Sequence, residues 1–572
     1  MNSIFLPVLA LLPSLASTVL AQENQSLGGE LGRMWTFENP PLAYLEEEYG
    51  FKPDQEWLDS LRLGALRLGN ENILSGFGSA SFVSPNGLIM TSTRCVRDAV
   101  TETRPKDLEI INAGFVAAAQ EQEFRLRWQE WEVNSYHDEW LTAAQLIRIT
   151  TVTDRVNSGV LLTDNEIQIG KKREANKQTI LDAATQVDPE LVPQIVSLYQ
   201  GAVVQLYQYK VYDDIRLVVL PPIQSAHFGG AADNFTYPRY SVDFAFLRAY
   251  ENGEPADTSK HYFKWSSGGA KKDELVFVAG NPGLANRLRT TAQMELERDV
   301  RIPIEIERLT NTLRILKDQW SNNDPEFDPE NPCKHWAWTR TWILATENDL
   351  KAARGHRHGL ESATLMTQKT AAEQAFKSRV MADEKLARRY GNLWDRIAIV
   401  VEERRQHEVR ARFQTADAAR VFGLAVAVVR ACDPAETAAE REQARKTVES
   451  WAGRTVHTNV LIVGQSKDHV VRSRSWLPAD DPYFTKVLGG RNAHEFEDAV
   501  AGGQGQSPNW FGDPEPREAL VNAGWTAIQE SADPVIVAAR ELVPLMRENA
   551  RLGAELDARE AALGAEMARA LF

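Results

Sequence analysis

Cysteine is scarce: the 572 residues contain three, at Cys95, Cys333 and Cys432. Three cannot all pair, and none lies in a CxxC or a Cys/His cluster, so the fold does not depend on a disulfide frame. Long apolar runs are absent beyond the N-terminus. No later segment reaches 18 uninterrupted apolar residues, so the mature chain is expected to be soluble. Positive charge is in deficit, with 64 Lys and Arg against 79 Asp and Glu. A net charge of −15 argues against a general binder of nucleic acid or anionic membranes. Gly280-Asn281-Pro282-Gly283 is a turn rather than a phosphate loop, because no GxxxxGK[ST] follows. His356 and His358 diverge at i, i+2 of a helix and no carboxylate cluster completes them. Neither a metal site nor a cofactor is expected.

The first 21 residues, MNSIFLPVLALLPSLASTVLA, form an apolar run with small residues at −3 and −1 of a cut after Ala21. That pattern predicts a signal peptide over 1–21 and a periplasmic or secreted protein. The remaining length is too great for one core. Up to about residue 299 the chain is rich in strand signals. LAYLEEEYG predicts a short helix ended by Gly50, and SFVSPNGLIM a hairpin turning at Pro85-Asn86-Gly87. LIRITTVTD, IRLVVL, DFAFLRAY and ELVFVAG predict further strands, the last of them buried, and 162–210 reads as helical. Beyond about 290, Ala, Glu, Arg and Leu dominate. Asp533-Pro534 provides the cap and first residue of a long final helix that Pro544 is expected to kink. Trp336, Trp338 and Trp342 read as helix-packing residues. The expected units are therefore 22–299, a strand-rich domain, and 300–572, an α-helical one.

Several segments together resemble peptidase family S46, the bacterial dipeptidyl-peptidases of the chymotrypsin clan. They are GRMWTFENPPLAYLEEEYGF, DQEWLDSLRLGALRL, SFVSPNGLIMT, DDIRLVVLPP, FGGAADNFTYPRYSVDFAFLRAY, LVFVAGNPGLANR and, more faintly, ENDLKAARGHRHGL. The resemblance implies an α+β fold: a chymotrypsin-like double β-barrel, here with its second barrel incomplete, plus a large α-helical domain that caps the cleft. It implies a serine-type hydrolase that releases dipeptides from the free N-termini of oligopeptides. A homodimer is among the assemblies it allows.

Carried over residue by residue, the resemblance puts the triad aspartate at Asp243, where it would accept the histidine Nδ1–H and stabilise the imidazolium. On residue chemistry alone, Asp243 reads as the cap of a strand. The histidine belongs in a Thr-Asn-His-His-Cys run, where this chain has Thr91-Ser92-Thr93-Arg94-Cys95. A guanidinium has no free lone pair and cannot take a serine proton, so Arg94 is not a competent base. An Arg94–Asp243 salt bridge is the expected replacement. His227, in the FGG loop, is a weak candidate to stand in. No Gly-Asn-Ser-Gly-Ser type turn follows the helical part before Phe572; Gly464-Gln465-Ser466 lacks the flanking glycine. The grip on the substrate α-ammonium maps to Asn234, to Phe235 in place of a tryptophan, and to Asn348. Phe235 keeps an aromatic face for a cation but no indole donor. Asn234 reads equally well as a residue that holds its own turn. Two readings stay open: a degenerate, inactive peptidase, or a non-catalytic peptide-binding or scaffold protein of the same fold.

Overall fold

The computed structural model describes residues 35 to 571 apart from 70–77, 104–107, 133–134, 162, 165, 227–228, 237, 282–288, 322–331, 417–419, 454–459 and 502–513. Residues 1–21, where a signal peptide is expected, and His227 lie outside the described residues. The fold is α+β: one antiparallel sheet followed by a large helical part.

The sheet is built from β1 (Ala65–Gly69), β2 (Gly78–Phe82), β3 (Leu88–Thr91), β4 (Phe115–Val116), β5 (Phe124–Arg125), β8 (Thr142–Thr151), β9 (Val192–Leu198), β10 (Val203–Tyr212), β11 (Asp214–Leu220), β12 (Ala245–Glu251) and β13 (Glu254–Pro255). A separate hairpin joins β6 (Arg127–Glu132) to β7 (Ser135–Trp140). The strand order is β4-β11-β12-β3-β2-β1-β8-β10-β9, with β5 on β11 and β13 on β12. Alternate residues of the central strands fill one core: Leu66, Leu68, Phe82, Ile89, Leu217 and Leu247 have no exposed surface. That is the period-two consequence of strand geometry.

The β2–β3 hairpin turns where the sequence places it. Ser81 faces Met90, Phe82 faces Ile89, and the Val83 N–H donates to the Leu88 carbonyl at 2.8 Å. Gly87 sits at φ 73°, and a Cβ there would lie 2.6 Å from the Ala249 carbonyl oxygen, so only glycine fits. Helix Leu42–Tyr49 likewise stops at Gly50, whose φ of 63° lets its N–H reach the Glu46 carbonyl. The LIRITTVTD, IRLVVL and DFAFLRAY runs fall within or largely within β8, β11 and β12.

Two expectations need correction. The stretch 162–210 is not uniformly helical: helix Glu166–Val187 gives way to β9 and the first part of β10. The β-branched and aromatic residues of VPQIVSLYQGAVVQLYQYK favour a half-buried ladder over a helix, and Gly201 at φ 90° helps turn the chain between the strands. Glu274–Gly280 is not a buried strand. It enters no ladder with a described residue, and Val276 and Val278 are 63% and 98% exposed. No described strand follows β13.

From Thr291 onward the described elements are helices. Their core gathers Phe413, Phe422, Tyr483, Ile528, Ile536 and Leu542, all essentially inaccessible. The final helix, Pro534–Leu571, starts with the Asp533 carboxylate accepting the Val535 N–H at 2.9 Å and runs on through Pro544. Leu344, in helix Pro332–Glu361, inserts into the sheet core rather than the helical one. That seat fixes the helix against the strand-rich part and orients the residues of the candidate site. Trp342, one of the aromatics read as packing residues, rests on Ile315 and Leu316.

Candidate functional site

Residues 344, 347, 348 and 351 recur at i, i+3, i+4 and i+7, so they share one face of helix Pro332–Glu361. With Leu344 buried in the sheet, the other three overhang the loop that begins at Gly229. The Glu347 carboxylate accepts the Gly230 N–H through Oε2 at 3.0 Å and the Lys317 ammonium through Oε1 at 2.6 Å. The Lys351 Nζ donates to the carbonyls of Ala231 and Ala232 at 2.6 and 2.9 Å. Between them, Asn234 Nδ2 donates to Asn348 Oδ1 and to the Gly229 carbonyl, both at 3.0 Å.

The orientation of these amides follows from the chemistry of their neighbours. A backbone carbonyl only accepts, so the Asn234 atom facing Gly229 is nitrogen. Asn348 must then present oxygen to it, which turns Asn348 Nδ2 toward the Asp349 carboxylate at 3.2 Å. Asn234 and Asn348, 114 positions apart, are thus brought together as the resemblance implies. Asn234 also holds its own turn, and only 1% of its surface is exposed. Phe235 stands beside it at φ 61°, an uncommon conformation for a bulky side chain, with its ring 62% exposed. Glu347 and Lys351 carry no motif in the sequence. The signal was there in the helix face they share with Asn348, but it carries meaning only once the partner loop is known.

Asp243 lies just before β12. Its Oδ1 accepts the main-chain N–H of Thr93 at 3.0 Å. Burial pushes its carboxyl up from the ordinary range, and the Thr93 N–H and hydroxyl, with the Arg239 charge, oppose the shift. The expected Arg94–Asp243 salt bridge is not formed. Arg94 is exposed, at the first position of helix Arg94–Thr103, and the guanidinium whose field reaches Asp243 is that of Arg239. The reason is local: Thr93 is buried with its N–H turned to the carboxylate, and the following residue starts a helix with its side chain in solvent. Ser466 is buried within helix Val460–Trp476 and is not presented on a turn.

For cations, His356 and His358 are exposed on their helix. Among the described residues, His494, Glu497 and Asp498 can bring three ligand atoms within 4.8 Å of one another. Lys467 already neutralises Glu497 at 2.8 Å, so the group does not have the character of a metal centre.

The comparisons agree with this architecture. A crystal structure of Porphyromonas endodontalis DPP11 in complex with the dipeptide Arg-Glu superposes with a TM-score of 0.65 and 18% identity, covering 98% of this chain and 76% of that one. An Asp/Glu-specific dipeptidyl-peptidase of Shewanella putrefaciens is 28% identical over 289 residues, 48% of this chain and 37% of that protein. Another, from Porphyromonas gingivalis, is 24% identical over 398 residues, 65% of this chain and 50% of that protein. The aligned regions thus span half or less of these two relatives. The sequence model of Peptidase S46 matches residues 29–572, and the chain belongs to that family.

Proposed function

We propose that this chain is an exported, periplasmic or secreted, member of the family that holds peptides by their free N-termini and does not release dipeptides by itself. The observation that carries the reading is the Thr93 N–H on Asp243 with Arg94 in solvent. In a serine peptidase the carboxylate orients an imidazole that takes the nucleophile's proton. Here the carboxylate accepts a main-chain N–H and no imidazole adjoins it in the sequence: the residue at the histidine position carries a guanidinium, which has no lone pair with which to accept a proton. Without a base, formation of an acyl-enzyme stalls whichever hydroxyl is offered.

The binding half of the reading rests on the Asn234–Asn348 junction. Both Asn234 amide hydrogens are used inside the protein and 1% of the residue is exposed, so Asn234 holds the junction in place and the groups offered to an ammonium are the ones beside it. Asp349 is an exposed carboxylate next to Asn348, and the exposed Phe235 ring offers a π face. An oligopeptide with a free α-amine is the ligand this set suits.

Two measurements test the pair of statements. Purified protein is incubated with fluorogenic dipeptidyl substrates of several P1 types, acidic ones included; no serine-reactive hydrolysis above background is expected, and such hydrolysis refutes the loss of catalysis. Calorimetric titration compares an oligopeptide with its N-acetylated form. Binding of the free amine alone is expected, and equal binding of both, or of neither, refutes the N-terminal grip.

A further inference from the structure

Helix Arg420–Cys432, the turn after it, helix Ala438–Glu449 and helix Pro514–Glu530 border a cleft of about 360 Å³ in the helical part. That volume lies in the range of small-molecule sites. One wall is apolar, made by Cys432, Val521 and Trp525, which also pack on the helical core. The Cys432 thiol donates to the Val521 carbonyl at 3.7 Å. Burial pushes the thiol above the ordinary cysteine range, so it serves as a wall rather than a nucleophile. Gly524 completes this side. It stands inside its helix at φ 76° and ψ −164°, a region almost confined to glycine, and a Cβ there would meet nothing within 4 Å. The helix is therefore interrupted where it borders open space.

The other wall is charged. Arg441 and Arg445 recur at i, i+4 and share one face of helix Ala438–Glu449. Arg441 Nη1 donates to the main-chain carbonyls of Glu436 and Asp433, which fixes its position without meeting its charge. The charge of Arg445 acts on the Cys432 thiol, so this guanidinium stands close to the apolar wall. Neither arginine forms an ion pair with a described residue. The two buried acids beside them are already taken: Arg547 pairs with Asp433 and Glu436, and Arg430 pairs with Glu436 at 2.8 Å. In a chain of net charge −15, two neighbouring arginines left without a carboxylate mark a place for an anion from outside. The planar fork of a guanidinium matches a carboxylate, and the indole next to it suits a flat apolar body.

We propose that this cleft binds a small organic anion, with a flat aromatic body against Trp525 and a carboxylate between Arg441 and Arg445. The proposal is independent of the peptide-binding reading above, because the cleft shares no residue with the Asn234 loop or with helix Pro332–Glu361.

The test is calorimetric titration of the full chain with indole-3-acetate, which carries no amine that an N-terminal grip could take. The site is located by the rate at which iodoacetamide alkylates Cys432, read by mass spectrometry with Cys95 as reference. Saturating indole-3-acetate is expected to slow alkylation of Cys432 and to leave Cys95 unchanged. Indole-3-ethanol, its neutral counterpart, should bind about tenfold more weakly or worse, as should inorganic phosphate, which lacks the apolar body. Arg445→Gln, at an exposed position, should fold normally and weaken indole-3-acetate about tenfold. Should that variant prove unstable, Arg445→Lys serves instead; it keeps the charge, loses the fork and should still bind more weakly. No binding of indole-3-acetate, or binding that leaves Cys432 unprotected, would overturn the proposal. Equal binding of indole-3-ethanol would overturn it in favour of apolar adsorption, and equal binding of phosphate in favour of a bare anion site. Unchanged affinity in the Arg445 variant would overturn the role given to the guanidiniums.

Discussion

Removing the Asn234–Asn348 hydrogen bond should loosen the loop without unfolding the protein, and the magnitude can be worked from the contacts. In Asn348→Ala, one Asn234 amide hydrogen loses its acceptor while the side chain stays 99% buried by its surroundings. An unsatisfied buried donor costs about 1–3 kcal/mol, against a gain of about 0.5 kcal/mol from alanine in a helix. Asn234→Ala also strips the donor from the Gly229 carbonyl, so its cost should be the larger of the two. With Asn234 already gone, Asn348→Ala should cost little, and the coupling should be about 1 kcal/mol, roughly fivefold in the local opening equilibrium. The assay is native-state hydrogen exchange of the amides that the loop protects. They are Gly230 on Glu347, Asn234 on the Ala231 carbonyl and Thr236 on the Asp233 carbonyl. Local opening is the right quantity, because a chain of this size need not unfold in two states. Strict additivity of the two substitutions, within about 0.3 kcal/mol, would refute the bond and with it the placement of helix Pro332–Glu361 over the loop.

Three further outcomes are expected. Asp243→Asn should raise stability at pH 7: burial holds the native carboxyl pKa above its unfolded value, so ionisation disfavours the native state, and stability falls as pH rises through the native pKa. The gain should vanish below the ordinary carboxylate range, where both states are protonated, and urea unfolding at pH 3 and pH 7 checks the sign. Gly87→Ala should cost well over 1 kcal/mol in thermal unfolding, since it adds a clash with the Ala249 carbonyl to a positive φ. Gly253→Ala, at φ 84° with open space around it, should cost only about 1 kcal/mol. Glu123→Gln should cost about 3–5 kcal/mol in urea unfolding, because it leaves Arg248, with only 12% of its side chain exposed, without its carboxylate.

Local grammar carried much of the fold. Gly50 and Gly87 end their elements through backbone conformations that the residue type announces, and Asp533-Pro534 opens its helix in the same way. Errors arose where pattern and partner separate. ELVFVAG has the composition of a buried strand, but burial depends on a neighbour that the segment itself does not encode, and Val278 is almost wholly in solvent. Within 162–210 a helix and a β-branched stretch follow one another without a break in composition, and alternation and Gly201 are what distinguish them. The site divided along the same line. Asn234 and Asn348 could be paired through the family resemblance, whereas Glu347 and Lys351 bind main-chain atoms of the loop, whose positions no side-chain motif reveals. The Arg94–Asp243 bridge does not form because charge complementarity carries no direction: a cation one residue along the chain can face away.

The absence of that bridge bears on what the Asp243 carboxylate does. Thr93 immediately precedes helix Arg94–Thr103, so its N–H lies at the helix start, where the aligned peptide dipoles leave partial positive charge. The Asp243 carboxylate accepts that N–H and so stabilises both the helix start and the junction of β3 with β12. This role requires no imidazole. An aspartate at this place can therefore serve the fold alone, and its presence by itself carries no evidence of proton transfer. The informative position is the one that follows Thr93. An imidazole there could turn toward the carboxylate and hold its second nitrogen toward a hydroxyl, whereas the Arg94 side chain extends into solvent and has no lone pair to offer.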